Sequence, residues 1–238
     1  MTRYLLTNAE NHTWRGSHVC PGQSILASNT EENVLTRNAE ELGDSPLVAI
    51  MLNPWHAQID HQKMLELEIG RNDLDEIGSS TNVVVRETTV PSVTTDQKIV
   101  FALMTIQEVY GNPVFKCWAD DWISGSDRSA EAAGKMFAQL GKIAKETSSA
   151  SAEPKTPGTG QENPDRVDTK YKDFSSRASE AIFAAQIYMD RTENWPLLAS
   201  RSVNRAVGGL QLRVDLAAIA ERAIASSAKG AMRSRSAA

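Results

Sequence analysis

Residues 54–61, PWHAQIDH, hold two of the chain's four histidines and an aspartate. On one turn of helix, His56 and Asp60 lie four apart and share a face. A histidine and a carboxylate at that spacing can hold a divalent ion or act as a hydrogen-bonded acid–base pair. They are the candidate catalytic residues. His61 is five from His56 and leans off that face. Zinc takes three or four protein ligands, and no HExxH or paired CxxC supplies them, so neither a metal nor a cofactor is expected. The same stretch reads more simply as a helix start. Pro54 opens it, Trp55 and Ile59 anchor it, and the histidines cover its polar side.

Three further clusters carry chemistry-bearing types. Thr13-Trp14-Arg15-Gly16 precedes His18 and Cys20, and a cysteine beside a histidine can act as a nucleophile once a third group orients the pair. Lys116-Cys117-Trp118-Ala119-Asp120-Asp121-Trp122 places two tryptophans and two aspartates in a connection, with Trp118 and Trp122 plugging the gap between two helices or lining a binding surface. Arg201, Arg205 and Arg213 belong to a basic end that also holds Arg222, Arg233 and Arg235. Arg201 and Arg205 are four apart and can reach one phosphate-bearing surface, so nucleic-acid binding through residues 169–238 is one reading and a solvated helix face the other. No phosphate loop, GxGxxG or GxSxG is present.

The elements that must position these residues follow from periodicity. YLL (4–6) reads as a short edge strand and 28–43 as a short helix closed by Gly43. LVAIML (47–52) reads as a buried strand or short buried segment. MLELEI (64–69) alternates and NVVVRETTV (82–90) is β-branched, so both are strands. From Asp96 the period becomes helical. Helices are expected over 96–110, capped by Thr95 or Asp96, and over 126–146, capped by Ser126, with an apolar face of Ala130, Ala133, Phe137, Leu140 and Ala144. Residues 148–168, with three prolines and two glycines, read as a flexible linker or long loop. Helices over 169–190 and 197–228 follow, the second kinked at Gly208-Gly209. The last residues, KGAMRSRSAA, are expected to fray.

The fold class expected is therefore α+β. A small mixed N-terminal domain with a short β-sheet (1–93) precedes a helical hairpin (94–147). After the linker, C-terminal helices (169–238) pack on that hairpin, for about four helices in all. With 41% hydrophobic and 23% charged residues the chain has ordinary globular composition. No apolar run approaches a membrane span and the N-terminus does not read as a signal peptide, so a cytoplasmic protein with free thiols at Cys20 and Cys117 is expected. Residues 1–168 carry 14 Lys+Arg against 24 Asp+Glu, and residues 169–238 carry 11 against 6. An acidic body with a basic end suggests internal packing or an acidic partner.

The order of several short motifs resembles a family of uncharacterised phage and actinobacterial proteins. Tyr4-Leu5 with Thr7-Asn8 resembles that family's opening, and Trp55-His56-Ala57 its Gly–aromatic–His–Ala middle. Leu65-Glu66-Leu67-Glu68 and Val84-Val85-Arg86-Glu87 are similar to its two strands. Asp127 to Ala133 looks like the start of its alanine-rich helical region. Leu52-Asn53-Pro54 stands where the family has cysteine and glycine. The resemblance implies a small accessory protein, phage-encoded and working in the host cytoplasm, and implies no activity. The reading carried forward is a binding protein acting on another protein, with an oligomeric state left open. The alternatives are an enzyme centred on 54–61 and a nucleic-acid binder.

Overall fold

The computed structural model describes residues 2–13, 16–22, 24–26, 42–59, 61–71, 80–150, 165–191, 193–208, 210 and 213–236. The fold class is α+β: a small antiparallel sheet and, among the described residues, seven α-helices. The expected helix over 28–43 lies outside the described residues except for Leu42 and Gly43.

Strands β1 (Thr2–Thr7), β2 (Ser24–Leu26), β3 (Lys63–Arg71) and β4 (Ser80–Thr88) lie in the order β1-β3-β4-β2. The YLL segment is thus part of an edge strand. Pairing of Leu5 with Leu65 and of Leu6 with Met64 sets the register. Side chains alternate across a strand, so these two pairs face opposite ways. Leu5, Leu65 and Leu67 meet Val19 on one face; Leu6 and Met64 meet Ala49, Ile50 and Ile59 on the other. Both faces of the β1–β3 pair are therefore covered at these residues.

Residues 47–52 form no strand. They lie in helix α1 (Pro46–Leu52). The Ser45 hydroxyl accepts the Val48 N–H at 3.2 Å and Pro46 sits in the first turn, two start signals that an apolar run alone does not carry. Val48 to Leu52 are all buried, between the sheet and the later helices. Gly43 bridges to Tyr4 and packs so close to α1 that a Cβ there would collide with the Ala49 backbone.

Helix α2 (Thr95–Val109) starts one residue earlier than expected. Thr94 and Gln97 form a reciprocal capping box. Residues 116–122 belong to helix α3 (Pro113–Ser124) rather than to a connection. Asn112 accepts the Val114 and Phe115 N–H groups, and Gly125, at φ 81°, closes the C-terminus in the left-handed region. Helix α4 (Ala130–Ala150) is capped by Ser129, not Ser126, through its hydroxyl to the Ala132 N–H at 3.1 Å. Its buried stripe is Ala133, Met136 and Leu140, whereas Phe137 is 45% exposed.

Helices α5 (Asp165–Asp190), α6 (Trp195–Val207) and α7 (Leu216–Ser236) complete the chain. The single kinked helix expected over 197–228 is two helices. Gly208 ends α6, and the Asp215 carboxylate accepts the Ala218 N–H at 3.0 Å to start α7. The terminal segment expected to fray is helical to Ser236. Of the expected linker, 151–164 lies outside the described residues.

One apolar core joins all seven helices. Helix α2 is its centre, with Ile99 to Leu103 and Ile106 fully buried, and it packs on α5, α6 and α7. Ala178, Ala181, Ala184 and Ala185 of α5, with Ala199, Ala206, Ala220 and Ala223, let the helices approach closely. Helix α1 joins this core through Val48, Met51 and Leu52.

Candidate functional site

His56 lies in a single 3-10 turn (His56–Gln58) rather than an α-helix. Ile59 is already extended, so the helical spacing invoked for His56 and Asp60 ends before the aspartate. Asp60 itself lies outside the described residues. His61 is exposed, with φ 54°.

The His56 ring is inside the protein, 5% exposed. Its Nε2 is 3.2 Å from the Val93 carbonyl, so Nε2 carries the proton and donates. Its Nδ1 is buried and meets no partner among the described residues. Burial, reinforced by the Lys98 charge and opposed by the Val93 bond, pushes its pKa down to about 3. At neutral pH His56 is a neutral, inward-facing imidazole. This environment suits a structural donor better than a base that must meet substrate.

Beside it lies a feature the sequence reading missed. Lys98 is wholly buried on α2 and donates to the Asn53 carbonyl. Burial holds its amine well below the usual lysine value. Asn204 of α6 donates to the neighbouring Leu52 carbonyl at 2.8 Å. A helix leaves its last carbonyls without partners in the helix, and here side chains from two other helices satisfy them at the end of α1. The only sequence hint was a lysine three and four positions before Phe101 and Ala102, on the side of α2 that the core covers.

The tryptophans of α3 are core residues. Trp122 is fully buried and Trp118 9% exposed. Arg128 covers Trp122 at 4.4 Å, bonds Asp96 at 2.7 Å and donates to the Trp122 carbonyl at 2.8 Å. Trp122 meets Tyr188 edge-on, Tyr188 meets Trp195, and Arg191 lies over both at 4.2 and 4.3 Å. This ladder joins α3, α5 and α6.

Arg201 is half-buried on α6. Arg205 is exposed and stands 3.6 Å from Glu180 of α5. Arg213 lies over Phe174 of α5 at 5.3 Å. Arg222 meets Glu108 at 2.9 Å, and Arg177 donates to the Ala206 and Gly208 carbonyls that end α6. Arg177, Arg205, Arg213 and Arg222 are thus turned to acidic, aromatic and carbonyl groups of the same fold.

The outer surface shows a different pattern. Phe137 on α4, Phe183 on α5 and Leu198 on α6 are 45, 44 and 38% exposed. These helices pack in sequence, α4 on α5 and α5 on α6. Two open hollows are lined by described residues. One, of about 600 Å3, is lined by Arg86, Glu87, Thr88 and Thr89. The other, of about 490 Å3, is lined by Lys135, Ala138, Gln139, Lys142 and Ile143. Neither reaches His56. His18 and Cys20 do meet, with Sγ 3.6 Å from the nearer ring nitrogen. Cys117 is exposed on α3. Among the described residues no helix is long and apolar enough to cross a membrane. Comparison of the chain with protein-family models, curated proteins and solved structures gave no match.

Proposed function

We propose that this chain is a non-catalytic binding protein that recognises another protein through the outer surface of α4, α5 and α6. One observation carries the reading. Phe137 of α4 and Phe183 of α5 face outward, while Ala133 of α4 and Ala178, Ala181, Ala184 and Ala185 of α5 are buried. Burying a Phe side chain is worth roughly 1.5–3 kcal/mol, far more than burying an alanine methyl. An isolated exposed apolar residue needs no explanation. Here two neighbouring helices share the inversion, and aromatic side chains are the usual anchors of protein interfaces.

The buried, neutral His56 supports this reading over acid–base catalysis. The intramolecular contacts of Arg177, Arg205, Arg213 and Arg222 support it over nucleic-acid binding. The resemblance of the N-terminal motifs to phage proteins adds the finer expectation, a phage accessory factor acting on a host protein in the cytoplasm.

The test uses the full chain and its Phe137→Ser, Phe183→Ser double variant as baits in the source cells. The reading expects a partner that wild type captures and the double variant loses, while Arg205→Glu retains it. Equal capture by both baits, with both folded, would overturn it. Salt-sensitive capture of nucleic acid instead would favour the basic end.

A further inference from the structure

Residues 8–13 and 16–20 pair as two short antiparallel arms over one face of the sheet. The Thr13 N–H donates to Ser17 at 2.9 Å and the Val19 N–H to Asn11 at 2.9 Å. His12 and His18 are bridge partners between those bonds. They therefore occupy a non-hydrogen-bonded position, where opposed side chains of an antiparallel pair stand closest. Their ring centroids are 5.1 Å apart. Thr13 and Val19, on the opposite face, are 1 and 0% exposed. Val19 anchors the pair on Leu5, Leu65 and Leu67. Asn8 accepts the His12 N–H at 2.8 Å, and Lys63 donates to Asn11 at 3.3 Å. The histidine face is thus held by a fixed base and turned to solvent.

Two more donors flank the histidines. Glu10 Oε2 is 3.7 Å from His12 Nδ1. Cys20 Sγ is 3.6 and 3.7 Å from the two His18 ring nitrogens. Neither cysteine is in a disulfide. In a tetrahedral zinc centre, bonds of about 2.0–2.1 Å to nitrogen and about 2.3 Å to sulfur place those two donors about 3.6 Å apart. A nitrogen and a carboxylate oxygen on one zinc stand about 3.4 Å apart. The Glu10–His12 separation lies near this value, while Cys20 Sγ, almost equidistant from both His18 nitrogens, rests against the ring, which must turn to aim one nitrogen at a shared ion.

We propose that Glu10, His12, His18 and Cys20 are the donor set of a zinc-class metal site. The four form two pairs, and no three of them converge as the side chains stand. Joining the pairs needs rotation of the two imidazoles about their side-chain torsions, which exposed rings make readily. Two nitrogens, a thiolate and a carboxylate suit zinc by softness and by number. On binding, the Cys20 thiol releases its proton to solvent and the sulfur lone pair goes to the metal, with no change of oxidation state. The cation stitches the two arms. This site is independent of the helical surface proposed for partner recognition.

The test is titration of the tag-free full chain with Co2+, followed by displacement with Zn2+. A thiolate-to-cobalt absorption band saturating at about one ion per chain is expected. Cys20→Ser should abolish the band. His12→Ala and His18→Ala should each weaken binding by more than about tenfold. His56→Ala and Cys117→Ser should leave it unchanged. Zn2+ should raise the melting temperature of wild type but not of Cys20→Ser, and equal metal-free melting of the two confirms that the variant is folded. Absence of the band, or saturable binding that survives Cys20→Ser or His12→Ala, would overturn the site.

Discussion

The Asn204 side-chain amide donates to the Leu52 carbonyl at 2.8 Å, tying α6 to the end of α1 across 152 positions of sequence. With the Lys98 amine on the next carbonyl, it closes a helix end that lies inside the core. A buried carbonyl stripped of its donor costs about 1–3 kcal/mol. Asn204→Ala should therefore destabilise the fold by that amount in urea denaturation. Unchanged stability would mean that water replaces the amide and that the junction is open.

Lys98 makes a pH-dependent contribution. Its folded-state pKa lies below its unfolded value, so between the two the unfolded chain holds more protons. Stability then rises with pH through that window and levels off above roughly 10.4, the unfolded lysine value. Lys98→Met keeps the packing and removes the titration. The stability difference between wild type and variant should drift in favour of wild type as pH rises toward the unfolded lysine value. A difference constant with pH would show that the amine is charged in the fold.

His56 acts in the same direction at acid pH. Its pKa falls from the ordinary 6.5 to about 3 on folding. The associated stability is complete above 6.5 and is lost as pH falls toward 3, with a slope of at most about 1.4 kcal/mol per pH unit. His56→Phe should flatten this acid limb. Retention of the wild-type limb would assign it to other groups.

Arg128 links three groups at once: the Asp96 carboxylate at the start of α2, the Trp122 carbonyl at the end of α3, and the Trp122 ring. A lysine keeps the charge but not the planar fork or the stack. Arg128→Lys should cost about 1–2 kcal/mol, measured by the same denaturation. A neutral result would assign the contact to the surface, where ion pairs contribute little.

The inversion on α4 and α5 makes a paired prediction. Phe137→Ser and Phe183→Ser should change stability by less than about 0.5 kcal/mol each. Met136→Ala and Ile182→Ala, one position away, should each cost about 2–5 kcal/mol. Large losses in both sets would place the phenylalanines in the core and remove the basis of the partner surface.

The α+β class, three of the strands and the helical second half were legible because each rests on a local signal. Alternation marked 64–69, β-branching marked 82–90, and a 3.6-residue period marked α2 and α5. The stretch 47–52 was ambiguous because a short buried run has no polar face to show its period. Met136 and Phe137 are both apolar neighbours on one helix, and nothing local states which of them turns inward. The break between α6 and α7 lay in a glycine pair that permits a kink or a stop equally.

The sequence by itself determined where chain could be regular and which side chains could carry chemistry, since propensity, capping and periodicity act over a few residues. Tertiary structure alone decided what became of those side chains. It buried His56 against Val93 and sank Lys98 and Asn204 onto the end of α1. It set Arg205, Arg213 and Arg222 on partners of their own fold, and brought His12 opposite His18. Each outcome depends on which elements pack together, and therefore on contacts between residues distant in sequence or on chain reversal, which no local window contains.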